Sequence, residues 1–431
     1  MAVVSAFVQD AVDQSAPLTV AAAYAQARSA ALAESDVGLV GLEVESHLVD
    51  LSSVADAVPW SRVAAITKVI DTVASRSAVT VEPGGQVELS GPPEPGIAAA
   101  VAGLRHEGMG VRLALEDHQL GLAYVGADPL RPSRRINPRP RYRAMEEHFA
   151  ATGRAAAGAV MMNSTAALQV NLQAGPRSGW AARVARANRL GPTLLAMSAC
   201  SPWLRGRDTG WKSARQQAWR GLDPRACGPV PGCVAGAPDD DDALDPASAW
   251  AEFALRAPVA FVCNGRDDVR AVGRPVAFWQ WASGHAQLGG RRPTVADLGV
   301  HLTTLFPPVR LRGYLELRYL DVSAPRWWPA VAAVVTTLMD DPVAADLATE
   351  ATERAAQLWT EAARDGLGDP VLADSARRCL QVAVTRVPEQ LRSAVEDLAE
   401  LVESGRSPGD LLAERIRKVG AHVAFEELAH A

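Results

Sequence analysis

The sequence predicts an α+β fold, in which an antiparallel sheet is covered by helices. Several short segments alternate polar and apolar residues, as strands with one buried face do. From Trp327 onward the chain is rich in Ala, Leu, Glu and Arg with helical periodicity, for example in EQLRSAVEDLAELVES. Strands mixed with helices therefore come first and helices alone follow, an order that favours α+β over a doubly wound parallel fold.

The domain organisation follows from the same patterns. Residues 1–18 are expected to be a mobile leader, residues 19–431 a single domain, and about residues 330–431 a helical layer over the sheet. The Gly- and Pro-rich stretch 221–245, with its acidic run at 239–242, is expected to be a surface loop. Other helices are expected at residues 18–34, 60–75, 96–118, 141–151 and 180–200.

Composition excludes several classes of protein. The 431 residues carry a formal net charge of −6, which argues against nucleic acid as the main partner. The N-terminus lacks the basic region of a signal peptide, and no stretch reaches the length of a membrane span, so we expect a soluble cytoplasmic protein. Five scattered cysteines without a CxxC pair disfavour a zinc site and a disulfide framework, although Cys227 and Cys233 could meet across a loop.

Four predicted strands share one chemistry. In GLVGLEVESHLVD, TVEPGGQVELSG, AALQVNLQAG and GYLELRYLD, one face is apolar. Because residues two apart in a strand point to the same side, the other face collects carboxylates and amides. The residues on this face are Glu43, Glu45, His47, Glu82, Gln86, Glu88, Gln169, Asn171, Gln173, Glu316 and Arg318.

This polar face predicts a metal site. It holds five glutamates against one arginine, and like charges on neighbouring strands destabilise a sheet unless a cation lies between them. Oxygen ligands without thiolates select a hard cation such as Mg²⁺ or Mn²⁺. The alternative is an ordinary antiparallel sheet with one solvated face.

A bound nucleotide would need unusual phosphate contacts. The chain has no GxxxxGK[ST] loop, and GMG at residues 108–110 lacks the rest of a dinucleotide fingerprint. Metal ions and the Gly84–Gly85 turn are then the candidates for holding phosphates. A hairpin or a β-bulge explains the two glycines equally well.

In their order along the chain, these segments resemble the plant and proteobacterial type of glutamate–cysteine ligase (γ-glutamylcysteine synthetase). The resemblance is strongest to the actinobacterial branch, which supplies γ-glutamylcysteine for ergothioneine synthesis. The motifs that carry it are GLEVE at 41–45, TVEPGGQVELSG at 80–91, ALQVNL at 167–172 and HLTTLFPPVRLRGYLELRYLD at 301–321. Residues 141–149 and 214–228 show weaker similarity to the family. Tyr319 and Leu320 differ from the family, in which small residues usually follow the LELR arginine.

The resemblance implies a catalytic domain like that of glutamine synthetase, with a curved antiparallel sheet and helices outside. It further implies Mg²⁺ as cofactor, ATP as co-substrate, and transfer of the glutamate γ-carboxylate to the amine of cysteine through a γ-glutamyl phosphate. The metal ligands it implies are Glu43, Glu45, Glu82, Glu88, Gln169 and Glu316. Gly84, Gly85 and Asn171 are the expected ATP-binding residues.

The arginines are the candidates for binding substrate anions. Arg318 lies on the face of Glu316 and is expected to be catalytic with it, although a salt bridge to a neighbouring glutamate is the alternative. Arg215, Trp219 and Arg225 are expected to bind glutamate or cysteine, or else to be surface residues at a helix end. His47 and His301 are expected to be peripheral and structural.

Two rival functions share these features. One is a ligase of the same fold that joins glutamate to another amine. The other is a non-catalytic sensor of metal or nucleotide, which has less reason to retain repelling charges on all four strands.

Overall fold

The computed structural model describes residues 16–233, 245–265 and 267–430. Most of the predicted leader and the acidic run at 239–242 lie outside these residues. Leu18, the last residue of the predicted leader, is buried, and its amide donates to the carbonyl of Pro293 at 2.7 Å. The chain is therefore fixed to the domain from this point.

The strands build one large antiparallel sheet and two small hairpins. The twelve strands of the described residues are β1 Leu39–Asp50, β2 Ala78–Val81, β3 Val87–Ser90, β4 Glu94–Pro95, β5 Leu120–Ala123, β6 Ala167–Gln173, β7 Trp203–Leu204, β8 Arg207–Asp208, β9 Phe261–Cys263, β10 Val269–Ala271, β11 Val309–Leu311 and β12 Tyr314–Asp321. In the large sheet the order is β11-β12-β6-β1-β3-β2, and β4 and β5 also pair with β1. The two hairpins are β7–β8 and β9–β10.

Strand β1 is the centre of the sheet. Its first half pairs with β6 on one side and with β3 and β4 on the other, and its last residues pair with β5. Leu42, Val44 and Leu48, the apolar residues of its alternating pattern, are all buried in the core. Three of the four motifs in the sequence thus become neighbours through one strand.

Helices surround this sheet. They are α1 Val20–Ser29, α2 Trp60–Val73, α3 Ile97–Glu116, α4 Pro140–Ala151, α5 Ala155–Ser164, α6 Trp180–Ser198, α7 Ala214–Arg220, α8 Pro224–Cys227, α9 Pro246–Arg256, α10 Phe278–Ser283, α11 Val295–Leu302, α12 Trp328–Asp340, α13 Pro342–Ala351, α14 Trp359–Arg364, α15 Pro370–Arg386, α16 Glu389–Glu403, α17 Pro408–Val419 and α18 Ala421–His430. Helices α3, α6 and α12 contact the sheet directly, and α12 is buried on nearly every side. The α+β prediction is confirmed. No helix in the described ranges is long and apolar enough to cross a membrane.

A β-bulge changes the phase of strand β12. Leu317 lies opposite Val170, but the next paired residue, Leu320, lies opposite Leu168, so two residues of β12 face one residue of β6. Tyr319 points to the helices, where its hydroxyl donates to the carbonyl of Ala187. Tyr319 and Leu320, which depart from the family motif, are therefore packed in the core.

The two glycines before β3 form a tight hairpin turn. The Glu82 amide donates to the Gln86 carbonyl, and the Gly85 amide donates back to the Glu82 carbonyl. Gly85 has φ +88°, a conformation that favours glycine, and a Cβ on Gly84 would collide with the backbone carbonyl of Asn163. The turn thus fixes Glu82 at the end of β2, and the hairpin interpretation of the glycines is confirmed.

This close contact predicts the effect of adding one methyl group. Gly84→Ala should lower the free energy of unfolding by about 1–3 kcal/mol, because backbone atoms cannot move aside as a flexible side chain can. The matched control is Gly299→Ala in α11, where an added Cβ meets nothing within 4 Å. The control should be neutral or more stable by up to about 1 kcal/mol. Equal stability of both variants in chemical denaturation would show that the turn tolerates the methyl group.

Candidate active site

The strand register brings the predicted carboxylates into direct opposition. Glu45 on β1 lies opposite Glu88 on β3, and Glu43 lies opposite Gln169 on β6. One strand further, Glu316 on β12 lies opposite Asn171. Since directly opposite residues in an antiparallel pair share a face, these side chains form one polar surface, which we call the acidic face.

Burial makes these charges costly. Desolvation is the largest cause that raises the pKa of Glu88 to about 8, followed by the charges of Glu43 and Glu45. Desolvation and then Glu82 raise the pKa of Glu45 to about 7, and desolvation and then Glu88 raise the pKa of Glu82 to about 7. The pKa of Glu43 is also raised, by burial first and by Glu316 second. Near neutral pH, these glutamates therefore retain protons, because their surroundings do not balance the charge of the fully ionised cluster.

Hydrogen bonds hold three of these carboxylates in place. Glu45 accepts from the amide of Ala167 at 2.7 Å and from the Gln169 side chain at 3.3 Å. Glu43 accepts from Asn171 at 2.9 Å. Glu88 accepts from the hydroxyls of Thr80 at 2.8 Å and Ser90 at 3.1 Å. All these donors are neutral, so they orient the carboxylates without cancelling their charge.

Glu316 differs from the other glutamates, because arginines surround it. Arg310 donates to both of its oxygens, and Arg318 and Arg312 lie at 3.3 and 3.4 Å. Although burial opposes ionisation of Glu316, Arg310 and then Arg318 outweigh it and hold its pKa far below the usual range. Both oxygens of Glu316 thus contact guanidinium groups. Its role as a metal ligand stays a prediction.

The expectation of one arginine on this face was wrong. Arg310 lies directly opposite Glu316 on β11. Arg141, at the start of α4, acts electrostatically on Glu82 and donates to the carbonyl of Thr303. The alternation of Arg310 with Val309 and Leu311 could have revealed the first arginine, but nothing in the sequence places α4 beside Glu82.

Arg318 lies at the junction of the acidic face and the arginines. Its Nη1 donates to Gln169 Oε1 at 2.5 Å and lies 3.3 Å from Glu316 Oε2. The salt bridge considered as the alternative therefore exists. Its Nε is nevertheless buried without a hydrogen-bond partner in the described residues, so one donor is still free for a ligand.

Arg215 and Trp219 lie beside Arg318. The hydroxyl of Ser213 caps the N-terminus of helix α7. Arg215, in the first turn, donates through Nη2 to the Arg318 carbonyl at 2.6 Å. The guanidinium lies 5.8 Å from the Trp219 ring centre, and its charge acts on Glu45. The structure therefore brings two of the three predicted substrate-binding residues of this segment to the acidic face.

Arg225 does not join them. Its guanidinium forms a two-point ion pair with Asp223, at 3.0 and 2.6 Å, and 56% of its side chain is exposed. The aspartate two residues earlier thus holds the Arg225 charge at the surface, and the role of Arg225 in substrate binding stays a prediction. Cys227 and Cys233 are free thiols.

The remaining candidates separate into neighbours of the site and structural residues. The hairpin accounts for Gly84 and Gly85, and Asn171 donates to Glu43, while the role of all three in binding ATP stays a prediction. His47 contacts the carbonyl of Val125 and the ring of Phe425, away from the glutamates. His301 contacts the Ala254 carbonyl and stacks on Phe278, as a structural histidine does.

Several buried polar atoms of the predicted site residues lack a hydrogen-bond partner within the described part of the chain. Buried hydrogen-bonding atoms almost always have partners in folded proteins. Among the described residues, four predicted site residues have a buried polar atom that has none: Asn171 Oδ1, Arg215 Nη1, Trp219 Nε1 and Arg318 Nε. Three donors and one acceptor are thus available to a polar ligand. Within the same residues, no three Asp, Glu, His or Cys side chains are grouped closely enough to hold a metal ion as they stand.

Comparison with solved structures supports the fold. A glutamate–cysteine ligase from Francisella tularensis, solved in complex with AMP, aligns with a TM-score of 0.55 over 92% of this chain and 88% of that one. The two sequences are 14% identical, so the likeness concerns the fold alone.

Sequence relatives are much closer. The glutamate–cysteine ligase EgtA of Mycolicibacterium smegmatis is 49% identical over 409 residues, which cover 95% of this chain and 94% of the relative. EgtA of Mycobacterium tuberculosis is 46% identical over 400 residues, with 93% and 91% covered. The chloroplastic glutamate–cysteine ligase of Nicotiana tabacum is 26% identical, with 88% and 74% covered. Residues 39–428 match Glutamate-cysteine ligase family 2 (GCS2). The chain therefore belongs to glutamate–cysteine ligase family 2 and is a ligase.

Proposed function

We propose that the protein joins the γ-carboxylate of L-glutamate to the amine of L-cysteine, at the expense of ATP, to supply γ-glutamylcysteine for ergothioneine biosynthesis. The curated mycobacterial relatives support both amino acids and the pathway, since they are ligases of this name with similar length. The observation that carries the proposal is the meeting of buried glutamates with two arginines that retain unpaired N–H donors.

The acidic face fits a divalent cation by the chemistry of its donors. Glu45 and Glu88 oppose each other across two strands, and Glu43 and Glu82 add further carboxylate oxygens beside them. Carboxylate and amide oxygens are the donors that Mg²⁺ prefers. Glu43, Glu45, Glu82 and Glu88, with Gln169, would hold it, and the bound ion would neutralise charge between the triphosphate and the substrate carboxylate.

The first chemical step needs two anions to approach each other. A γ-carboxylate oxygen of glutamate attacks the γ-phosphorus of ATP, the bond to the bridging oxygen breaks, and ADP leaves. Arg318 is suited to bind the phosphoryl oxygens. Glu316 and Gln169 already fix its guanidinium group, and its Nε has no hydrogen-bond partner in the described residues. In this proposal Glu316 anchors Arg310 and Arg318.

The second step forms the amide. The amine of cysteine attacks the carbonyl carbon of γ-glutamyl phosphate, inorganic phosphate leaves with its bridging oxygen, and the nitrogen loses a proton. The edge-to-face pair of Trp219 and Phe306, with centres 5.6 Å apart, offers an apolar surface beside both arginines. Such a surface suits a thiol side chain, since sulfur packs favourably against aromatic rings.

Product analysis tests the reaction. With glutamate, cysteine, ATP and Mg²⁺, we expect ADP and phosphate to appear in equal amounts with γ-glutamylcysteine. Formation of AMP in step with the product would contradict an acyl phosphate. Turnover with another amine at a tenfold higher kcat/KM than cysteine would favour the rival ligase, and the absence of any turnover would favour the sensor.

The repulsion within the acidic face predicts how stability depends on pH. Because the folded pKa of Glu45 and Glu88 lies above the unfolded value, the folded metal-free protein holds more protons than the unfolded chain between about pH 4.5 and 8. The contribution of these glutamates to stability should therefore fall as pH rises through this window and level off above it. Added Mg²⁺ should restore stability most strongly at the upper end.

Glu45→Gln and Glu88→Gln test whether these two glutamates cause the pH dependence and hold the cation. Each removes a carboxylate but keeps the shape of the side chain, so each should flatten the fall of melting temperature with pH and remove most activity. A variant that keeps near-normal turnover at limiting Mg²⁺ would show that the residue does not belong to the cation site.

Arg318→Lys tests the role of the guanidinium. Lysine keeps the charge but loses the planar set of donors, so kcat should fall by about 10²–10³-fold, the usual cost of losing a donor that stabilises a transition state. The control is Arg291→Lys, which breaks a two-point pair with Asp297 outside the site. The control should lower the melting temperature and leave kcat unchanged. The opposite result, a less stable Arg318→Lys enzyme with normal kcat, would reduce Arg318 to a structural salt bridge.

A further inference from the structure

Asp321 is a buried charge that the proposed reaction leaves unexplained. Its side chain is fully buried at the end of β12, opposite Ala167, whose amide holds Glu45. In a regular strand, alternation from Glu316 and Arg318 would turn residue 321 towards the core. The bulge before Leu320 reverses that phase and returns Asp321 to the acidic face.

Burial raises the pKa of Asp321 above its usual value, while Arg215 and three hydrogen-bond donors act in the opposite direction and favour the ionised carboxylate. Its Oδ2 accepts from the Cys200 amide at 2.9 Å and the Ser201 hydroxyl at 2.6 Å, and its Oδ1 accepts from the Ser213 hydroxyl at 2.9 Å. Gly126 makes room for it, because a Cβ on that residue would lie 2.6 Å from Asp321 Cγ. Three donors therefore fix both oxygens.

The charge of Asp321 acts on Arg215. Arg215 Nη1 lies 3.8 Å from Asp321 Oδ1, within ion-pair range but too far for a hydrogen bond. Two further bonds tie the arginine to the same network, from Nη2 to the Arg318 carbonyl and from its amide to the Ser201 hydroxyl. Arg215 is thus compensated electrostatically, while its buried Nη1 retains an unused donor.

We infer that Asp321 is a positioning residue, which holds Arg215 as a preformed receptor for the α-carboxylate of an amino-acid substrate. This inference rests on the proposed function. A carboxylate is the group that pairs with a buried guanidinium donor, and both proposed amino acids carry one beside the reacting group. Without Asp321, Arg215 would face the site with its charge uncompensated and its orientation fixed at fewer points.

Analogues without the carboxylate separate this role from a general loss of activity. Cysteamine lacks the carboxylate of cysteine, and 4-aminobutyrate lacks the α-carboxylate of glutamate. Two ratios are measured: kcat/KM for cysteine divided by that for cysteamine, and kcat/KM for glutamate divided by that for 4-aminobutyrate. Each ratio reports what the carboxylate contributes and is independent of the fraction of active enzyme. In Asp321→Asn we expect one of the two ratios to fall by about tenfold, the usual effect of weakening one charge-assisted contact.

The ratio that falls identifies which amino acid Arg215 binds. The coupling to Arg215 is tested in the Arg215→Ala background, where adding Asp321→Asn should change the same ratio no further. Unchanged ratios in Asp321→Asn, or an equal drop in the presence and absence of Arg215, would overturn the inference. A wild-type enzyme that does not couple glutamate to cysteine would instead contradict the proposed function.

Two variants guard against a trivial loss of folding. Ser201→Ala leaves the Asp321 charge in place but removes one of its donors, so it should lower the same ratio by a smaller factor. Asp340→Asn breaks another largely buried aspartate–arginine pair, with Arg183 at 2.5 Å, outside the site. It should lower the melting temperature without changing either ratio, and a change of the same size would mean that the effect of Asp321→Asn is only structural.

Discussion

The opposition of Glu45 and Glu88 across β1 and β3 is the constraint on which the site depends. Two carboxylates on facing positions of an antiparallel pair repel each other, and burial removes the water that would screen them. Neutral hydrogen bonds from the neighbouring strand residues orient the groups but leave the repulsion. The ligand-free fold therefore tolerates a local cost that a bound cation would relieve, as functional sites commonly do.

The two halves of the acidic face balance their charge in different ways. On the side of β11 and β12, Arg310, Arg312 and Arg318 surround Glu316, which stays ionised at all ordinary pH values. On the side of β2 and β3, Glu82 and Glu88 form no salt bridge within the described residues, and their pKa values rise. A site with a fixed cationic half and an unbalanced acidic half suits a reaction between anions, since one half can hold a metal while the other contacts phosphate or carboxylate.

Much of this arrangement could be predicted from the sequence, because strand alternation is local. The period of two residues placed all the glutamates on one face before any strand order was known. Strand order decides which residues meet, however. Arg141 reaches the glutamates from a helix that no periodicity connects to them, and the alternation around Arg310 spans only the three residues of β11. Asp321 was missed for another reason: the bulge at Leu317–Leu320, where Tyr319 packs against α6, shifts the alternation. Helix α5 was also missed, since its run of Ala, Val and Met shows no polar stripe, and only its second half is buried.

The central claim is that the acidic face stores protons until a divalent cation replaces them. Titration calorimetry of Mg²⁺ into the metal-free enzyme at pH 7, repeated in buffers of different ionisation enthalpy, measures this exchange directly. The pKa values of Glu45, Glu82 and Glu88, about 7, 7 and 8, predict that binding releases protons. The release should be smaller at pH 9 and smaller again in Glu88→Gln. Binding without proton release at pH 7, or release unaffected by Glu88→Gln, would contradict the account.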